Sequence, residues 1–151
     1  MEIRRILAPI DFSERSLEEL RWATRMANIF GAELIILHVV PPETVEVYAR
    51  EGHDWDSMRA GISLKARQMV EDAGREVGIA GLEHEEHIVE GNAIEEILHV
   101  INHRDIDFVV IATHGRTGIS HTLMGSVVEK LVAISPVPML TLSEASLAKA
   151  V

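Results

Sequence analysis

The stretch from Asp107 to Lys130, DFVVIATHGRTGISHTLMGSVVEK, decides the fold. Five apolar residues, Phe108 to Ala112, stop at Thr113-His114-Gly115. A loop with Arg116, Thr117 and Gly118 follows, and Gly125-Ser126 opens a segment of helical period. Strand, glycine loop and helix start, in that order, make the arrangement that cradles phosphate in α/β proteins. The loop offers backbone N–H groups, and the helix N-terminus adds about half a positive charge. Ser126 and Glu129 stand three apart, as in a capping box, and this spacing predicts a helix from Ser126 to Ile134.

Outward from this stretch, the chain alternates strand and helix. Ile3 to Ile10 reads as a strand ending at Asp11. Ser13 or Ser16 can cap a helix with Leu17, Leu20, Ala23, Ala27 and Phe30 on its inner face, stopped by Gly31. Ala32 to Val40 is almost continuously apolar, as suits a strand buried on both faces. Pro41-Pro42 breaks the pattern, and 41–56 is expected to be irregular, a mobile flap. Met58, Ile62, Ala66, Met69, Val70, Ala73 and Val77 repeat with helical period. Leu82 to Glu90 is a charged strand suited to an edge, where Glu85-Glu86 keeps it soluble. Asn92 with Glu95 signals another helix start. Val137 to Leu142 is the last strand, and Pro138 within it places it at an edge.

Five strands and four helices in alternation predict an α/β fold, a single open five-stranded parallel sheet with helices on both faces. Right-handed crossovers favour the order 3-2-1-4-5. A crevice then lies where strands 1 and 4 diverge, with Asp11 and the glycine loop at its mouth. Residues 1–143 read as one domain and 144–151 as a short tail.

Bulk properties narrow the function. The 151 residues carry 24 acidic and 14 basic side chains, a formal net charge of −10. That argues against nucleic acid or an anionic membrane as partner, while leaving room for a locally positive phosphate site. There is no cysteine, hence no disulfide and no thiolate chemistry. No apolar run approaches the roughly 20 residues of a membrane span, and the cytoplasm is the expected location. His99 and His103 share a helix face without a third ligand, so no metal site is expected. His84 and His87 fall on opposite strand faces. Neither a Walker lysine nor a nucleophile elbow is present, so catalysis has no positive support.

These residues resemble the universal stress protein family over nearly the whole chain. Ile6-Leu7-Ala8-Pro9-Ile10-Asp11-Phe12-Ser13 is similar to the family's first strand, Leu37-His38-Val39-Val40 to its second strand end, and Gly91-Asn92-Ala93 to the entry of its third helix. The nucleotide-binding branch carries G-x2-G-x9-G-[S/T]. Here Gly115 supplies the second glycine and Gly125-Ser126 the close, whereas Ala112 stands in place of the first glycine. Alanine suits that place at negative φ and is costly at positive φ.

The resemblance implies a Rossmann-like fold of the adenine nucleotide alpha hydrolase type. It also implies an ATP site, ADP and AMP being alternatives, with Asp11 and Val39 at the adenosine end and the glycine motif on the phosphates. The expected binding residues are Pro9, Ile10, Asp11, Val39, Ala112, His114, Gly115, Arg116, Gly118, Gly125, Ser126 and Val127. Magnesium would come with the phosphates rather than sit in a protein-only cage. Family members that dimerise use the last strand, here Val137 to Leu142, so a homodimer is expected. Two other readings stay open: a dimeric interaction protein that binds no nucleotide, and a slow nucleotide hydrolase. Asp11 likewise has two readings, a cap for the following helix or a ribose or adenine contact.

Overall fold

The computed structural model describes residues 2–113, 125–143 and 145. Strands β1 (Arg5–Pro9), β2 (Glu33–Val40), β3 (His84–Glu90), β4 (Phe108–Ala112) and β5 (Met139–Leu142) form one sheet in the order β3-β2-β1-β4-β5. Every neighbouring pair is parallel. Among the described residues the helices are α1 (Glu14–Phe30), α2 (Pro42–Arg50), α3 (Trp55–Glu76), α4 (Ala93–His103) and α5 (Ser126–Ile134).

The side-chain alternation of the strands sorts the core into two layers. On one face Ile6, Ala8, Leu34, Ile36 and Val110 pack with Leu20, Ala23 and Ala27 of α1 and Ala66, Val70 and Ala73 of α3. On the other, Leu7, Ile35, Leu37, Val109 and Ile111 pack with Ile97, Val100 and Ile101 of α4 and Val128 and Leu131 of α5. Small alanines on α1 and α3 let those helices sit close to the sheet. Gly31 ends α1 with φ 64°, and Ala32 N–H reaches back to the Ala27 carbonyl at 2.8 Å.

Four expectations need correction. Residues 41–56 are not irregular: α2 occupies most of them, because Pro42 sits at the first helical position, where its fixed φ and missing N–H cost nothing. This makes five helices rather than four. Pro138 precedes β5 instead of lying in it, and its carbonyl accepts from Val109 N–H at 3.0 Å. Ser126 starts α5 but does not cap it, since the cap residue is Gly125 and no side chain closes the turn.

Glu85 and Glu86 do more than keep β3 soluble. Glu86 takes a two-pronged bond from Arg67 of α3 (3.0 and 3.1 Å), and Glu85 binds Arg104 beyond α4. Adjacent strand residues point to opposite faces, so the pair ties β3 to one helix on each side.

Candidate functional site

β1 and β4 pair only at Ile6–Leu7 with Phe108–Val109 and then part. Beyond that point a cavity of about 360 Å3 opens at the carboxyl ends of the strands. This is the place where an open α/β sheet accommodates a ligand. Pro9, Ile10 and Asp11 come from the end of β1, and Val39 from the end of β2. Ala112 closes β4, while Gly125, Ser126 and Val127 come from the start of α5. These eight sequence-predicted residues meet around one cavity. His114, Gly115, Arg116 and Gly118 lie outside the described residues.

The turn after β1 is held by Asp11. Its Oδ1 accepts from Ser13 N–H and from the Ser16 hydroxyl, both at 3.0 Å. Phe12, between Asp11 and Ser13, has φ 61°, a left-handed conformation rare for a bulky side chain. The strain is offset by packing: the Phe12 ring meets His38 edge-on at 4.7 Å, and Lys65 Nζ stands 4.6 Å above it. His38 Nδ1 lies 2.9 Å from the Ile10 carbonyl. Asp11 therefore organises the β1–α1 turn and also lines the cavity, while the cap position of α1 falls to Ser13.

At β4, Ala112 is in strand register with Leu142 and is not among the residues of positive φ. An alanine in place of the motif glycine is therefore free of backbone strain. Thr113 anchors the strand end, its N–H (2.9 Å) and hydroxyl (3.2 Å) both donating to the Leu142 carbonyl. The Thr113 carbonyl in turn accepts from Gly125 N–H at 2.5 Å. Both ends of the glycine loop are thus pinned together at the cavity.

Three of the four helix starts around the cavity share a property, the capped start of α4 at Ala93 being the fourth. Ser13 of α1, Pro41 of α2 and Gly125 of α5 line the cavity, and none of the three makes a side-chain cap bond. By contrast, Asp54 caps α3 through Ser57 N–H, and Asn92 caps α4 through Ile94 and Glu95 N–H. Uncapped first turns leave backbone donors and the positive end of the helix dipole to whatever fills the space.

One charged lining residue was absent from the expected set. Glu19 of α1 is 3 % exposed, and its Oε2 accepts from Ala112 N–H at 3.0 Å. Its Oε1 is buried without a partner. Burial pushes the carboxyl well above its usual range; the Ala112 bond opposes this, and nearby Asp11 adds to it. Glu19 was legible in principle, because it falls three residues after Ser16 and four before Ala23, on the helix face that packs against the sheet. Leu37, Pro41, Ala93, Ile97, Ile111 and Val128 complete the apolar lining.

Among the described residues no group of three or more His, Asp or Glu side chains could hold a metal. His99 and His103 stack at 4.1 Å, and His103 Nδ1 lies 2.8 Å from the His99 carbonyl. Among the same residues no helix is long and apolar enough to cross a membrane.

A parallel sheet in the order β3-β2-β1-β4-β5 with a crevice at its β1–β4 divergence defines an open α/β domain. The chain belongs to the universal stress protein family, which matches residues 2–143. It is 27% identical over 142 residues to universal stress protein YxiE of Bacillus subtilis, covering 90% of this chain and 96% of that one. A universal stress protein solved in complex with cAMP superposes with TM-score 0.67 at 22% identity, over 94% of this chain and 98% of the other. The universal stress protein of Archaeoglobus fulgidus in complex with dAMP superposes with TM-score 0.64 at 21% identity, over 93% and 98%.

Proposed function

We propose that this chain is a cytoplasmic stress-response protein that binds an adenine nucleotide, ATP first among them, as a regulatory ligand in the β1–β4 crevice. The observation that carries the reading is the convergence of three uncapped helix starts on one cavity. A volume near 360 Å3 suits a small ligand, and Leu37, Val39, Ile97 and Pro9 give the crevice an apolar wall for a base. Asp11 stands at the adenosine end; Gly125, Ser126 and Val127 offer N–H groups to phosphate. Gly115 and its neighbours would complete the cradle, and magnesium would arrive on the phosphates. The cAMP and dAMP complexes of the two relatives above agree with an adenine nucleotide here.

Calorimetric titration with ATP, AMP and adenosine tests this. Ser126→Ala is expected to weaken ATP by about ten-fold, the size of one lost hydrogen bond to a charged group, and to leave adenosine almost unchanged. Because the Ser126 hydroxyl does not cap α5, stability should hold or rise slightly, alanine being the better helix former. Absence of ATP binding at millimolar concentration overturns the reading.

A homodimer through Val137–Leu142 belongs to the same proposal. β5 ends the sheet, and Met139, Leu140 and Thr141 are only partly buried along it. An apolar edge strand is a surface that a second copy covers in a two-fold arrangement. Light scattering should give twice the chain mass at micromolar concentration, and a monomer there ends the idea.

A further inference from the structure

A fully buried acid in the wall of an anion site is an unusual choice, and its geometry gives the reason. In a parallel sheet Ala112 N–H would bond to the neighbouring strand. β1 has already turned away at this level, since its ladder with β4 ends at Leu7 and Val109. The Glu19 carboxyl enters from α1 and takes that N–H at 3.0 Å. It acts as a wedge, standing in for the missing strand and keeping the two strand ends apart. We propose that Glu19 is a positioning residue of the crevice, holding the end of β4, and with it the approach to the glycine loop, at the spacing a nucleotide needs. The proposal rests on the nucleotide reading for its ligand, but not for the wedge itself.

The surroundings decide the protonation state in which the wedge works. Of the described residues lining the cavity, Asp11 is the only other titratable one. β4 carries no charged side chain. On β1, Arg5 pairs with Glu33 of β2, and His38 of β2 is held against the Ile10 carbonyl. On α3, Glu76 pairs with Arg21 of α1, while Lys65 covers Phe12. Among the described residues no cation is therefore bonded to Glu19, and burial beside Asp11 keeps its carboxyl protonated well above the usual range. As a neutral acid it adds no negative charge where phosphate must sit. The unpartnered Oε1 is the atom that bears the proton, Oε2 being engaged as acceptor. Raising the pH until the proton leaves would place a second carboxylate beside Asp11 and repel the ligand.

The test compares wild type, Glu19→Gln and Glu19→Leu, all as the full chain. Glutamine keeps the acceptor and the neutrality; leucine keeps the bulk and loses the acceptor. As pH rises until the Glu19 proton leaves, wild-type ATP affinity is expected to fall more than that of Glu19→Gln, which should stay within about two-fold of wild type before that point. Glu19→Leu should bind about ten-fold more weakly. Identical pH profiles for wild type and Glu19→Gln, or wild-type affinity in Glu19→Leu, overturn the proposal. Hydrogen exchange at the Ala112 amide separates this from a failure of the nucleotide reading. Should wild type bind no ATP, an Ala112 amide that is protected in wild type and Glu19→Gln but exchanges about ten-fold faster in Glu19→Leu still supports the wedge. Equal exchange in all three removes it. If Glu19→Leu does not fold, exchange in Glu19→Gln decides, because loss of protection there contradicts an acceptor role.

Discussion

Two regions of this molecule treat the same side chain in opposite ways. At the β3 edge, Glu86 has a side chain only 8% exposed; burial pushes its carboxyl up, but the two bonds from Arg67 outweigh this and hold it below its usual value. The helix that supplies Arg67, α3, is capped by Asp54. At the crevice, Glu19 is buried without a cation among the described residues, and three helix starts are uncapped. The edge is finished by the protein's own groups, whereas the crevice leaves acceptors and donors for something else to meet. Leaving a buried polar group unsatisfied costs stability, so an unpartnered atom of a residue that also lines a cavity, as Glu19 Oε1 is, is a better guide to a ligand than the cavity alone.

Three measurements sharpen or break this contrast. The largest effect is expected from Glu19→Gln. Because the folded carboxyl titrates above its unfolded value, its contribution is complete below that unfolded value and is lost as pH rises toward the folded one. Glu19→Gln should therefore raise stability at neutral pH by more than either substitution below lowers it, and make little difference in acid. Denaturant unfolding at several pH values reads this directly, and a neutral-pH loss contradicts it.

Glu86→Gln should do the reverse. Its carboxylate titrates below the unfolded value, so the pair stabilises above that value and fades as pH falls through the folded one. A loss of about 1.5 kcal/mol near neutrality is expected, at the low end for charged hydrogen bonds because Arg67 is exposed. The difference from wild type should shrink in acid. A constant difference across pH breaks the comparison.

The smallest effect separates the helix starts. Asn92→Ala removes a cap and should cost about 1 kcal/mol, while Ser13→Ala should change stability by no more than a few tenths. Equal losses in thermal unfolding would mean that α1 is capped after all.

The sheet order was legible because burial on two faces makes β2 and β4 continuous apolar runs, while the charges of His84–Glu90 send β3 to an edge. Asp11 was legible because it stands where the apolar run of β1 stops, Gly125 because it opens a segment of helical period, and Val39 only through the family resemblance. Pro41-Pro42 misled because proline breaks a helix from inside yet starts one from outside, and sequence alone does not say which side it is on. Glu19 escaped notice because a glutamate on a helix normally faces water, and only the divergence of β1 from β4 creates a buried donor for it. The paired role of Glu85 and Glu86 depended on Arg67 and Arg104, 19 residues away in each case, a distance that local pattern does not span.

The brief meeting of β1 with β4 has a mechanical side. β1, β2 and β3 all come from the first 90 residues, and β4 and β5 from the rest. The seam between these halves is the shortest ladder in the sheet, reinforced by Asp107, whose carboxylate accepts from the N–H groups of Arg4 and Arg5. A molecule bound across the crevice touches both sides of that seam, so it acts as mortar between two courses. Pulled from its ends or cut near residue 105, the chain would part along this line first, and ligand would hold the pieces together.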